Sequence, residues 1–108
     1  MKKENLSKSE LTPAQLERAA SLLKAVAHPM RLSILQLLER DGGKMSVTDI
    51  CESINTEQSL TSHHLSNMKL KGILGCERDG QRILYFLQIK ELSNLLRCME
   101  NCACHFDK

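Results

Sequence analysis

A chain of 108 residues with 42% hydrophobic and 26% charged side chains has the make-up of one small globular domain, which excludes a disordered segment. With no Trp, one Tyr and two Phe, its core must come from Leu, Ile, Val, Ala and Met, which suits packed helices. The net charge of +2 does not by itself argue for nucleic acid, no apolar run reaches the roughly 18 residues of a membrane span, and the start MKKENLSKSE lacks the apolar stretch of a signal peptide, so a cytoplasmic protein is expected.

Residues 1–11 are polar and read as a flexible N-terminus; residues 12–108 read as a single domain. Thr12-Pro13-Ala14-Gln15 spells a helix start, with Thr12 as N-cap, Pro13 in the first turn and Gln15 closing a capping box. This helix is expected to run to about Ala27, with Leu16, Ala19, Ala20, Leu23 and Val26 at helical spacing. Pro29 opens a second helix. Leu32, Ile34, Leu35, Leu37 and Leu38 make it apolar on most sides, as the central helix of a small domain must be. Asp41-Gly42-Gly43 ends it.

Ser46 caps a short third helix that runs through Ile54, and Asn55-Thr56 breaks the chain. A fourth helix follows to about Lys71, closed by Gly72. Two short helices about a tight break form a helix-turn-helix. On the fourth helix, Thr61, Leu65 and Met68 share a packing stripe, with His64 at its edge as half-buried packing. Gln58, Ser59, Ser62, His63 and Ser66 fall on the opposite face, small and polar, free to enter a groove. Leu74 to Arg78 and Gln81 to Leu87 flank Asp79-Gly80, which predicts a hairpin with a type I′ turn on Asp79-Gly80 and Arg on both sides of it, a clamp for a phosphate backbone. From about Gln88 the pattern is helical again, with Leu92, Leu95, Leu96, Met99, Cys102 and Ala103 on one stripe. The expected fold is mainly α with a small β-hairpin: five helices plus a two-stranded wing.

The segments AVAHPMRLSILQLL (25–38), SVTDICESI (46–54), QSLTSHHLSNMKLKGIL (58–74) and RDGQRILYFL (78–87), in this order and spacing, resemble the ArsR/SmtB family of bacterial winged-helix repressors. The resemblance covers most of the chain. It implies a homodimer joined through the first and last helices, bound to near-palindromic operator DNA with its two recognition helices about one helical turn apart. It further implies an inducer with different affinities for the DNA-bound and released geometries. Gln58, Ser59, Ser62 and His63 are then expected at base edges, since Gln pairs with adenine in a bidentate way. Ser66, Lys69, Arg78 and Arg82 are expected on phosphates, with Lys44 and Lys71 as further phosphate contacts. His28, in the motif AHPMR, reads as structural.

The resemblance also implies where sensing could lie. One family metal site places three Cys in the third helix; here Ser46-Val47-Thr48-Asp49-Ile50-Cys51 keeps only Cys51. Another uses an Asp-x-His pair at the start of the last helix, where Ile89 and Glu91 stand here. A group responsive to reactive sulfur pairs a Cys in the second helix with one late in the last; Cys104 falls at the late position, Gln36 at the early one. The chain's own signal is its tail. There are five Cys, an odd number clustered late, which in a reducing compartment argues for thiols or metal ligands rather than disulfides. Cys98, Cys102 and His105 are spaced i, i+4, i+7, with Cys104 beside them. Three thiolates suit a soft metal or a metalloid ion, the one cofactor-like group expected here. The same thiols are open to persulfidation or oxidation, and Cys102 could pack as a small hydrophobe beside Met99 and Ala103. Cys51 and Cys76 read as structural. No enzyme is expected, because there is no Cys-x-x-Cys beside a βαβ pattern, no Gly-rich phosphate loop and no Ser/His/Asp arrangement. A winged-helix module that docks protein instead of DNA remains a third reading, although the outer face lacks the apolar anchors such docking needs.

Overall fold

A computed structural model of the chain describes residues 10–41 and 43–106, apart from the side chains of residue 41 and residues 104–106. Most of the expected N-terminal stretch, residues 1–9, and Gly42 lie outside the described residues. Five helices and three strands follow in the order α1 (Pro13–Val26), α2 (Pro29–Asp41), β1 (Met45–Ser46), α3 (Val47–Ile54), α4 (Gln58–Leu70), β2 (Leu74–Asp79), β3 (Arg82–Leu87) and α5 (Leu92–Phe106).

Local chemistry sets most of these boundaries. Thr12 Oγ1 accepts from the Gln15 amide at 3.1 Å and Gln15 Oε1 accepts from the Thr12 amide at 2.9 Å, so both bonds of the capping box start α1. Proline disfavours helix in the residue before it, and α1 ends at Val26, shortly before Pro29 opens α2. His28 serves as the cap of that second helix: its Nδ1 accepts from the Met30 amide at 3.0 Å. Ser46 Oγ accepts from the Asp49 amide at 3.1 Å to start α3, and Asn55, left-handed at φ 54°, closes it. Gly72, at φ +82°, lets the chain leave α4 and enter the sheet.

The core is aliphatic, as composition requires. Ile34, Leu35, Leu37 and Leu38 of α2 are buried against Ile50 of α3, Leu65 and Met68 of α4, Ile73 and Leu74 at the start of the wing, and Leu92 and Leu96 of α5. Each such side chain stabilises the fold by about 1.5–3 kcal/mol when fully removed from water. At the two ends of the chain the stripes are not covered. Val26 and Ala25 are buried, but Leu16 and Leu23 of α1 are 55% and 51% exposed. On α5, Leu95 and Met99 are half-buried, and Cys102 and Ala103 are exposed rather than packed on the core.

The wing differs from its sequence-based expectation in two ways. The sheet has three strands in the order β1-β3-β2, because Met45 and Ser46 pair with Tyr85 and Leu84. A two-residue strand carries no periodicity for a sequence reading to detect. The turn is also shifted by one residue: Asp79 pairs with Arg82, so Gly80 and Gln81 form the loop. Gly80 has φ +69° and Gln81 does not share a positive φ, the pattern of a type II′ turn with glycine first, not of the expected type I′ turn on Asp79-Gly80. Register follows the buried pair Leu74 and Leu87 at the base, and that pair fixes which two residues remain for the loop.

Candidate nucleic-acid interface

The break between α3 and α4 is built around two threonines. Thr61 is fully buried; its hydroxyl donates to the Glu57 carbonyl at 2.9 Å and lies 2.7 Å from Thr56 Oγ1. Glu57 itself gives no side-chain cap to α4. The Thr56–Thr61 pair therefore fixes the turn that sets the angle of α4, a role the stripe reading of Thr61 as simple packing missed.

On α4 the polar face emerges as expected. Gln58, Ser59, His63, Ser66 and Lys69 are exposed and Ser62 is half-buried. His63 Nε2 lies 3.2 Å from Asn67 Nδ2, one turn along the helix. Behind this face, His64 is not half-buried at the edge of the stripe but buried, with only 5% exposed. Its Nδ1 accepts from Arg31 Nε at 2.9 Å, and its ring centroid is 4.6 Å from that of His28. Burial, then the Arg31 guanidinium, then the neighbouring His28 and His63, hold its pKa below the ordinary value.

A groove runs between the start of α3, the first residue of α4 and the wing. It is lined by Thr48, Asp49, Gln58, Gln81, Arg82 and Ile83, among others. Gln58 thus lies close to the wing, which the linear sequence could not place. Arg78 is exposed on the wing. Arg82 is committed within the chain: its Nη2 is 2.8 Å from Asp49 Oδ2 on α3. Lys44 is likewise paired, with Glu77 at 2.9 Å, whereas Lys71 is exposed as the C-cap of α4. The carboxylates of Asp49 and Glu77 were not expected at the interface, since each pair joins residues 33 apart in sequence.

A helix-turn-helix on a buried core, followed by a hairpin wing that carries Arg78 and Arg82, is the geometry of a winged-helix DNA reader. Residues 28–74, which run from His28 through α3 and α4 to the start of β2, match the family described as bacterial regulatory proteins, arsR family. The HTH-type transcriptional regulator YgaV of Escherichia coli is 36% identical over 91 residues, 84% of this chain and 91% of that protein. The chain belongs to the ArsR family. Another similar member is the cadmium resistance transcriptional regulatory protein CadC of Listeria innocua, 29% identical over 94 residues, 87% of this chain and 78% of that protein. Among solved structures, the homodimeric winged helix-turn-helix DNA-binding domain of Mb0332 from Mycobacterium bovis superposes with a TM-score of 0.74. It is 25% identical and covers 91% of this chain and 92% of that one. Proteins named as transcriptional repressors are among the further matches. The ArsR family and the winged-helix fold are those of DNA-binding transcriptional regulators, not of enzymes.

ArsR-family sensing must be sought residue by residue. Cys51 on α3 and Cys76 on β2 are half-buried and far apart in the chain. Cys98 and Cys102 are both exposed and one turn apart on the continuous helix α5. The side chain of Cys104, the third expected thiol, lies outside the described residues, as does that of His105. Among the described residues no three His, Cys, Asp or Glu side chains gather as a metal site. Gln36, at the position where sulfur-responsive relatives were expected to have Cys, reaches α5 instead: its Nε2 donates to Glu100 Oε2 at 2.7 Å. Beside it, Arg97 Nη2 is 3.2 Å from Glu39 Oε2. The helix that carries the thiols is therefore tied to α2 by two polar contacts, and α2 is tied to α4 through Arg31 and His64.

Proposed function

We propose that this chain acts as a cytoplasmic homodimeric repressor that leaves its operator when a thiophilic inducer, a soft metal or metalloid ion, engages the cysteines of α5. The observation that carries the sensing half is the pair of exposed thiols, Cys98 and Cys102, one turn apart on a helix bonded to α2. An ion drawn to those thiolates, with Cys104 as the third, would pull on α5 and hence on the helix that braces α4. The name of the similar CadC protein supports a soft metal as the class of inducer. Dimerisation is supported by the uncovered apolar side chains Leu16 and Leu23 on α1, and by the homodimeric state in the description of the Mb0332 domain. Gln58, Ser59, Ser62 and His63 would meet base edges, with Ser66, Lys69, Arg78 and Arg82 on phosphates.

The test replaces Cys98, Cys102 and Cys104 together by Ser. The triple variant should bind duplex DNA like the parent and fail to release it on addition of arsenite, zinc or polysulfide. Release equal to the parent's would remove the tail from the sensing role. Intact mass after each treatment separates the chemistries. A bound ion supports the metal or metalloid reading; added sulfur atoms, or the loss of two hydrogens, supports sulfur or oxidant sensing by the same thiols.

A further inference from the structure

Arg31 is a half-buried charged side chain near the start of α2, and it has a job that packing does not require. Its Nη1 donates to the carbonyl of Ala25 in the last turn of α1 at 2.8 Å, one of the carbonyls a helix end leaves without an internal partner. Its Nε donates to Nδ1 of His64 on α4 at 2.9 Å. One guanidinium thus joins three helices, and among the described residues its hydrogen bond to α4 is to an imidazole nitrogen that must be unprotonated to accept.

We propose that Arg31 is a positioning residue for DNA recognition: it locks α4 to α1 and α2 through the neutral imidazole of His64, so that protonation of this ring unlocks the DNA-reading helix. With Nδ1 occupied as acceptor, the neutral ring carries its proton on Nε2. A second proton can only go to Nδ1, where it ends the bond and sets a cation against the guanidinium. Among the described residues, the charged and titratable groups facing His64 are Arg31 of α2, His28 of the α1–α2 link and His63 of α4. None is a carboxylate, so nothing on any packed element offsets the added charge. His28 cannot step aside freely, because its own Nδ1 caps α2. The ring that would release α4 is buried directly behind the polar face formed by Gln58, Ser59, Ser62 and His63.

The sign of the effect sets this device apart from general electrostatics. Acid adds positive charge to a protein surface in general and should strengthen attraction to phosphates. Loss of the Arg31–His64 lock acts the other way, and on specific binding above all, because sequence readout depends on the angle of α4. The inference rests on α4 being the helix that reads bases.

The experiment measures fluorescence anisotropy with two labelled duplexes at fixed ionic strength from about pH 7.5 to about pH 5.5, a range that spans imidazole titration. One duplex is selected from a random pool by the protein itself at the higher pH; the other is an unselected duplex of equal length. The parent's ratio of selected to unselected affinity should fall several-fold on acidification, up to the roughly tenfold that one imidazole of ordinary pKa can contribute over these two pH units. His64→Asn, which keeps an acceptor near the Nδ1 position but cannot titrate, should hold its ratio within about twofold, below the effect of one lost hydrogen bond to a charged donor. Arg31→Ala should have a low ratio already at the higher pH and lose the pH dependence, and this keeps the test decisive if the His64 variant does not fold. A parent ratio that is flat or rises in acid, or an Arg31→Ala profile that falls like the parent's, overturns the proposal. If no selected duplex emerges at all, it is the base-reading role of α4 that fails, and the lock is then tested by the His64 imidazole nitrogen shifts in the free protein. A doubly protonated ring, or a proton on Nδ1, at about pH 7.5 would overturn it there.

Discussion

Asp49→Asn is expected to tighten binding to duplex DNA, although it removes an ion pair. Arg82 Nη2 sits 2.8 Å from Asp49 Oδ2, with the two side chains 56% and 46% exposed. A pair so open to water contributes only about 0.2–1 kcal/mol. Any phosphate that takes Arg82 must first draw it from Asp49, so that amount is subtracted from binding. Releasing the arginine therefore returns a gain of about 1.4- to 5-fold in affinity at 25 °C. Removing a carboxylate from the groove beside Gln58 acts in the same direction. Where Arg82 then completes one more phosphate contact, the slope of log affinity against log salt should steepen by about 0.9. Anisotropy titrations of a labelled duplex over a series of salt concentrations read both quantities. Thermal melts by circular dichroism should show a small loss, because Asp49 also favours the start of α3, by about 0.3–1 kcal/mol. Equal or weaker binding by a folded Asp49→Asn variant at every salt concentration would refute the reasoning. It would mean that Arg82 stays on Asp49 in the complex and acts as a strut between wing and α3 instead of a phosphate ligand.

Replacing Leu16 and Leu23 together by Asp should convert a dimer to a monomer in sedimentation equilibrium; two exposed leucines that face only water would tolerate the change within about 0.5 kcal/mol each and leave the mass unchanged. Thr61→Val keeps shape but deletes the bonds to Thr56 and to the Glu57 carbonyl, and should cost about 1–2 kcal/mol in urea unfolding with m unchanged; an unshifted midpoint would show that the turn does not depend on them. Because the pKa of His64 is lowered in the folded chain, the native state binds fewer protons than the unfolded one. Stability is then complete above the ordinary value of 6.5 and falls as pH drops below it towards the lowered pKa, a slope that urea melts should detect in the parent and find reduced in His64→Asn.

Features that depend on neighbours in the chain were legible in the sequence. The capping box of Thr12 and Gln15, the Ser46 cap and the Gly72 exit need only a few consecutive residues, and all stand where the spacing places them. The polar face of α4 was legible because a helical period separates it from Thr61, Leu65 and Met68. What escaped depends on distant partners. His64 sits at the rim of its own stripe, and only α2 and the His28 loop packed over that rim bury it. The turn residues follow from a register fixed at the other end of the hairpin. Arg82 reads as a free cation until Asp49, on another element, is brought beside it. For the tail, spacing put Cys102 on an apolar stripe, yet the fold leaves it exposed, because a helical period tells which side chains share a face and not what covers that face.

In the sheet order β1-β3-β2, β1 covers β3 only at Leu84 and Tyr85, and β2 is an outer strand with one side unpaired among the described residues. Such an edge is a template on which another copy can add a strand, and aggregation starts that way. The exposed half of β2 reads Glu77, Arg78, Asp79, so an incoming copy would have to bury alternating charges along its backbone bonds. The charges at the wing therefore guard solubility, apart from the phosphate contacts proposed for Arg78 and Arg82. Variants stripped of them to dissect binding are expected to be the ones that precipitate, and loss of signal from such a variant is to be checked against light scattering before it is credited to a lost phosphate contact.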